Sequence, residues 1–190
     1  MLGLDSCQEK LPGLPCRHSE LDRLFPSIAH LTRFYPGFGL WFWSKVVPDL
    51  GNGSRRIIPV HTGESLAALA ILKRVPEERK ICTLWVAPFA RRFGFGGRLL
   101  RDSLIWLECD KPLITVCQER VHELQPLLRK FGFTLEQVCD SYYRPRRLEY
   151  VFNGLTSEPK GVFQSFDFAA LDLSERACGA LSLPLGCGHL

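Results

Sequence analysis

A chain of 190 residues, 46% hydrophobic and 23% charged, suits one globular domain with a tail and can build a real core. Its formal net charge of +4 favours anionic ligands but does not by itself argue for nucleic acid. No run of 18 uncharged apolar residues and no basic-then-apolar leader occurs, and the eight cysteines contain no Cys-x-x-Cys pair. A membrane span, a secretory leader, a disulfide framework and zinc are therefore not expected, and reduced thiols in the cytoplasm are.

The first stretch, to about residue 30, carries little pattern. Ser19-Glu20-Leu21-Asp22-Arg23-Leu24-Phe25 can start a helix, which Pro26 is expected to interrupt or restart. Residues 34–43 are the most aromatic part of the chain, and 38–47 reads as a helix ending before Pro48 and the Gly51-Asn52-Gly53 turn. A strand is predicted over 56–62, a hairpin turn at Gly63-Glu64 and a partner strand over 66–73. After a charged turn at Pro76-Glu77-Glu78-Arg79 comes a strand over 81–86 and then a helix to about residue 107. A buried-type strand over 112–117, a helix over 119–131 that Pro126 can kink, and strands over 135–143 and 148–153 complete the order. Residues 155–190 are rich in Gly, Ala, Leu and Ser, and pack as a short helix (167–178) or stay disordered.

The most informative segment is Val86-Ala87-Pro88-Phe89-Ala90-Arg91-Arg92-Phe93-Gly94-Phe95-Gly96-Gly97-Arg98. It joins an apolar strand to the amphipathic run 99–107. The first N–H groups of a helix lack internal partners, the helix dipole is positive there, and glycines let an anion approach the backbone. The spacing is not a nucleotide P-loop, since no Gly-Lys-Ser or Gly-Lys-Thr follows. It also fails Gly-x-Gly-x-x-Gly, because Gly97 follows Gly96 and Leu99 holds the last position.

Val-x-Pro-x-x-Arg-x-x-Gly-x-Gly does fit, at Val86, Pro88, Arg91, Gly94 and Gly96. This resembles the acyl-CoA pyrophosphate loop of the GNAT family of N-acetyltransferases. The turn Lys130-Phe131-Gly132-Phe133 is similar to the Gly-Phe turn ending that family's last helix, and the element order matches from the family's second strand onward. The resemblance covers residues 20–154, leaving 1–19 as an N-terminal segment and 155–190 as a tail. It implies an α/β (α+β) fold with a mixed, mostly antiparallel central sheet flanked by helices.

The resemblance further implies direct transfer of an acyl group, most simply acetyl from acetyl-CoA, to an amine, without a metal. Amides of Arg91, Arg92, Phe93, Gly94, Phe95, Gly96 and Gly97 would hold the pyrophosphate, Arg91 and Arg92 would add charge, and the N–H of Val86 would face the thioester carbonyl. Gln118 stands where the family commonly has an Asn that contacts CoA. An alkyl ammonium near pKa ~10 must lose a proton before it attacks. The family's usual base positions hold Lys80 and Cys82, which leaves Glu77, Glu78, Glu149 or a water chain. The family's acid, a Tyr, is replaced by Leu128; Tyr142 and Tyr143 are the nearest substitutes, expected on opposite faces of a strand, and Tyr143 is the candidate catalytic residue.

Other residues read as structural. Cys82 and Cys117 lie in apolar strands without a flanking His, His61 and His122 have no metal-ligand spacing, and Arg144, Arg146 and Arg147 read as a solvated turn that can bind an anionic acceptor. The acceptor is open among a small molecule, a protein terminus or lysine, and an aminoacyl-tRNA; no membrane partner is expected, and a homodimer is open. A CoA-binding regulatory module without catalysis is the alternative function. A nucleic-acid module built on Tyr35, Trp41 and Trp43 is weaker, because that aromatic run is nearly uncharged and reads as core or pocket wall.

Overall fold

The structure, a computed structural model, describes residues 18–156 and 162–164. Helix α1 (His18–Ile28) buries Leu21, Leu24 and Ile28, one helical stripe. Pro26 does not interrupt it as expected: Pro26 and Asp22, whose carbonyl loses its bond, are both exposed, so the gap faces solvent. A 3-10 turn (Ala29–Arg33) leads to α2 (Phe38–Trp41), a π turn (Phe42–Val46) and α3 (Val47–Gly51). These run on as one helix over 38–51. The predicted stop before Pro48 fails because the wide turn, with Val47 N–H bonded to Phe42 O, absorbs the proline.

The sheet has seven strands among the described residues: β1 (Arg55–Thr62), β2 (Ser65–Val75), β3 (Glu78–Val86), β4 (Leu113–Cys117), β5 (Leu135–Asp140), β6 (Leu148–Phe152) and β7 (Val162–Gln164). Their spatial order is β1-β2-β3-β4-β6-β5-β7, antiparallel throughout except for the parallel pair β3/β4. This is the mixed, mostly antiparallel sheet expected. β3 begins earlier than the predicted residue 81, because Val75 pairs with Glu78 across a tight Pro76-Glu77 turn. β5 ends before the predicted 143: Ser141 adopts a left-handed φ of 58° and its N–H bonds Arg147 O, turning the chain. β7, not anticipated, pairs with β5; the proposed tail helix over 167–178 lies outside the described residues.

One face of the sheet packs on the N-terminal helices through Ile57, Leu69, Ile71 and Trp85. The other packs on α4 (Phe95–Leu107) and α5 (Gln118–Lys130) through Ala68, Ala70, Leu72 and Ile81. α5 is unbroken at Pro126, which is exposed. It ends in a Schellman motif: Phe133 N–H bonds Leu128 O, Gly132 N–H bonds Arg129 O, and Gly132 supplies the required φ of 73°. Phe133 and Leu128 then meet in the core. No described helix is long and apolar enough to cross a membrane.

Candidate functional site

The site begins with one extra residue in β3. Ile71 of β2 pairs with Thr83 while Leu72 pairs with Ile81, so Cys82 is a β-bulge. Ile81 and Leu84 consequently face the same layer although three residues apart. β3 pairs with β4 only at Lys80↔Leu113 and Ile81↔Ile114, just before the bulge, and past it the two strands part. The opening is a cleft lined by Tyr35, Cys82, Thr83, Thr115 and Arg120 among others.

The direction of the β3 backbone follows from its ladder. Ala87 N–H bonds Ala67 O at 2.9 Å, a hydrogen-bonded pair, so the alternating pair Ala68↔Val86 turns its main-chain groups the other way. The N–H of Val86 therefore points to the side from which β4 has departed.

From Val86 the chain passes a 3-10 turn (Pro88–Ala90) to Arg92 at φ 66° and Gly94 at φ 84°, the N-cap of α4. The first backbone bond of the helix is Arg98 N–H to Gly94 O, at 3.1 Å. The N–H groups of Phe95, Gly96 and Gly97 are thus open at the positive end of a thirteen-residue helix. The two glycines here do different work. Gly94 takes a left-handed backbone, whereas a Cβ on Gly96 would stand 3.2 Å from Leu127 Cδ2, so Gly96 lets α4 lie against α5. Phe93 is 75% exposed, an apolar ring on the rim of the loop.

Arg91 is not free. Its amide leans on Pro88 O at 3.4 Å, and its Nε lies 3.0 Å from Glu123 Oε1, although without hydrogen-bond alignment. Glu123 also holds Arg120 at 2.9 Å, so Arg91 ties the loop to α5. Arg92 has no ion pair among the described residues, and is the freer cation.

Tyr35, which lines the cleft, bonds a carboxyl that the sequence offered only as one of several. Glu149 of β6 is 3% exposed and pairs with Cys117 and Cys139. Tyr35 Oη donates to its Oε1 at 3.4 Å. Burial pushes the Glu149 carboxyl up to about 7, an effect that hydrogen bonds from Thr115 and Tyr35 partly offset. Tyr35 is raised well above its ordinary value, first by burial and then by the charge of Glu149, so it keeps its proton. Glu77 is exposed on a turn, and Glu78 is paired with Lys73. Sequence reasoning passed over Tyr35 as a catalytic partner because no motif marks it; the only signal was its place in the aromatic run.

Tyr142 and Tyr143 do not sit on a strand, since β5 has already ended, and alternation does not separate them. Their rings meet edge-on, centroids 4.6 Å apart, and Tyr143 also meets Tyr35 at 5.3 Å. Tyr143 thereby reaches the Glu149 side of the cleft. Its phenol is pushed up to about 12, chiefly by burial. Leu128 is fully buried in the core, so no donor stands at that position.

Gln118, at the start of α5, accepts the N–H of Leu148 on its Oε1 at 2.7 Å and so fixes the residue before Glu149. Of its polar ends, only the amide nitrogen has no partner among the described residues. The arginine turn is built rather than merely solvated: Arg144 binds Glu119 Oε2 at 2.6 Å and Arg33 O at 3.3 Å, and Arg147 lies 3.9 Å from Glu119 Oε1. Burial pushes the thiols of Cys82 and Cys117 upward, Cys117 to about 11, which opposes a thiolate nucleophile. Among the described residues no group of three His, Cys, Asp or Glu is placed to hold a metal.

No family model matches the chain, and no curated protein matches it in sequence. Solved structures do. A GNAT-family protein from Desulfovibrio desulfuricans aligns at TM-score 0.55 and 15% identity over 74% of this chain and 92% of its own. The ribosomal-protein-S18-alanine N-acetyltransferase of Escherichia coli aligns at TM-score 0.52 and 16% identity, over 76% and 95%. A chimera of the spermidine N-acetyltransferase SpeG of Vibrio cholerae and hSSAT aligns at TM-score 0.52 and 17% identity, over 72% and 92%. The chain spans 65% of the length of nourseothricin acetyltransferase, at TM-score 0.48. The parting of β3 from β4, the helix capped by Gly94 and the three alignments at TM-scores of 0.52 to 0.55 agree: the chain has the GNAT fold.

Proposed function

We propose that the protein transfers an acyl group from acyl-CoA, most simply acetyl-CoA, to an amine. The observation that carries the proposal is the cleft opened by the Cys82 bulge, with the open N–H groups of Phe95, Gly96 and Gly97 at the Val86 end of β3. A pyrophosphate suits that helix terminus, with Arg92 as the added charge. Gln118 can add a hydrogen bond from its amide nitrogen. The N-acetyltransferases of like fold support the same reading.

In this reading the substrate amine lies in the cleft against Tyr35. Its proton passes to the Tyr35 oxygen as the Tyr35 proton passes to Glu149, which a carboxyl poised near 7 can accept. The amine lone pair then forms the C–N bond at the thioester carbonyl. The developing oxyanion is met by the N–H of Val86. The nitrogen, cationic once the C–N bond has formed, sheds its second proton to solvent as the C–S bond breaks, and CoA leaves as thiolate, which takes a proton from solvent. A Tyr143 phenol near 12 stabilises that thiolate by a hydrogen bond rather than by giving up its proton, because a thiol is far the stronger acid at pKa ~8.5. Most of the rate comes from positioning.

The test is calorimetric titration with acetyl-CoA and desulfo-CoA, with Gly94→Glu as control, followed by a screen of amines for CoA release. Binding that the control abolishes, and amine-dependent CoA release, support the proposal. A folded protein that binds neither ligand overturns it.

A further inference from the structure

Three cations stand in one cross-strand row on the sheet face that carries the N-terminal helices. Arg55 of β1 is opposite Lys73 of β2, and Lys73 is opposite Lys80 of β3. Like charges facing one another across strands repel, so the row needs compensation. Arg55 has it in Asp49, at 3.0 Å, and Lys73 in Glu78. Lys80 has no carboxylate partner among the described residues. The group as a whole carries one uncompensated positive charge.

The row is not on an open surface. Arg55, Lys73, Glu78 and Lys80 line a recess together with Cys82 and the rings of Trp41 and Tyr143. The Arg55 side chain is only 9% exposed, with its guanidinium 5.5 Å over the Trp41 ring and 3.4 Å from Cys82 Sγ. The recess also adjoins the reaction cleft. Cys82 lines both, and Tyr143 in the recess touches Tyr35 in the cleft. A substituent on an amine held at Tyr35 would enter the recess past Tyr143.

We propose that the acceptor carries a carboxylate beside its amine, as an amino acid does, and that Lys80 with Arg55 holds that carboxylate in the recess. This deepens the acyltransferase reading and rests on it. One uncompensated charge matches a singly charged carboxylate better than a phosphate dianion, and the same row repels polyamines. Arg55, already engaged with Asp49, supplies a fixed donor, while Lys80 supplies the free charge.

The experiment uses the full chain saturated with desulfo-CoA, titrated calorimetrically with the standard L-amino acids and with their amides, which lack only the carboxylate. The expected result is at least one amino acid bound about tenfold or more tightly than its amide, in line with a charge-assisted hydrogen bond. Lys80→Met should erase that discrimination and Lys80→Arg should keep it. Uptake of desulfo-CoA by each variant shows that it is folded. Indifference to the carboxylate in wild-type protein that binds desulfo-CoA overturns this assignment alone, as does discrimination that survives Lys80→Met. Failure of the wild type to bind desulfo-CoA overturns the acyltransferase reading and this assignment with it.

Discussion

The hydroxyl of Tyr35 donates to Oε1 of Glu149 across 3.4 Å, linking the N-terminal helical layer to β6 over 114 positions of sequence. The two belong to one proton path in the proposed reaction, and residues that act as a unit lose their effects non-additively. Tyr35→Phe and Glu149→Gln should each lower kcat/KM by about 10²–10⁴-fold, the range for general-base loss. The double variant should fall little further. A double variant showing the full product of the two losses would separate them.

The pH dependence of rate and stability should run in opposite directions. With the Glu149 carboxyl at about 7, kcat/KM should rise about tenfold per pH unit below that value, and this limb should vanish in Glu149→Gln. For stability, the folded protein keeps a proton between pH 4.5 and about 7 that the unfolded chain has lost. The stabilisation from this group is therefore full below pH 4.5 and declines up to about 7, by on the order of 3 kcal/mol. Urea melts of wild type and Glu149→Gln at pH 5 and pH 8 check it. Equal pH sensitivity in both proteins would remove Glu149 as the source.

The thiols of Cys82 and Cys117 should resist alkylation in the folded state. Both are raised by burial, and the thiolate is the reacting form. Iodoacetamide at pH 8 should label them at least about tenfold more slowly than in urea, read by mass spectrometry. Rapid native labelling of either would reopen an acyl-cysteine route.

Gln118→Ala should act first on stability. It leaves the Leu148 N–H without its acceptor, at a cost of about 1–3 kcal/mol, and Gln118→Glu should recover most of it because the acceptor oxygen is kept. A loss of acetyl-CoA affinity in Gln118→Ala without a change in melting would instead favour a direct contact with CoA.

Gly96→Val should destabilise the protein by about 1–3 kcal/mol, because the new side chain meets Leu127. Combining it with Leu127→Ala should cost less than the sum of the two, since the shorter side chain makes room. Strict additivity would mean that the clash is not with Leu127.

The phosphate-type loop was legible in the sequence because its geometry is local. Gly94 must take a left-handed φ, and the helix N-terminus needs nothing beyond its own backbone. The order of strands and helices up to β6 was legible from hydrophobic period and turn residues, and β7 was not. Three kinds of information were not. Pro26 and Pro48 read as breaks, yet one faces water and the other rides a π turn, which only the packed structure decides. The end of β5 depended on a non-glycine residue, Ser141, entering the left-handed region. The Tyr35–Glu149 pair depended on β6 lying between β4 and β5, a long-range pairing that no spacing encodes. Glu149 could be written down as a candidate; nothing in the sequence raised it above Glu77 or Glu78.

The inserted residue at Cys82 divides β3 into two half-strands of opposite parity. In a strand of single parity, Lys80 and Trp85 would stand on opposite sides of the sheet; here both serve the same one. Loss of that one residue would keep every side chain on its layer, since Ile81 and Thr83 would still oppose Leu72 and Ile71, but it would remove the bulge and bring β3 and β4 back into step, closing the cleft. Exchange of the cysteine for another small residue would leave the parity intact. Length at position 82, rather than chemistry there, is what keeps the two halves of the site geared to each other.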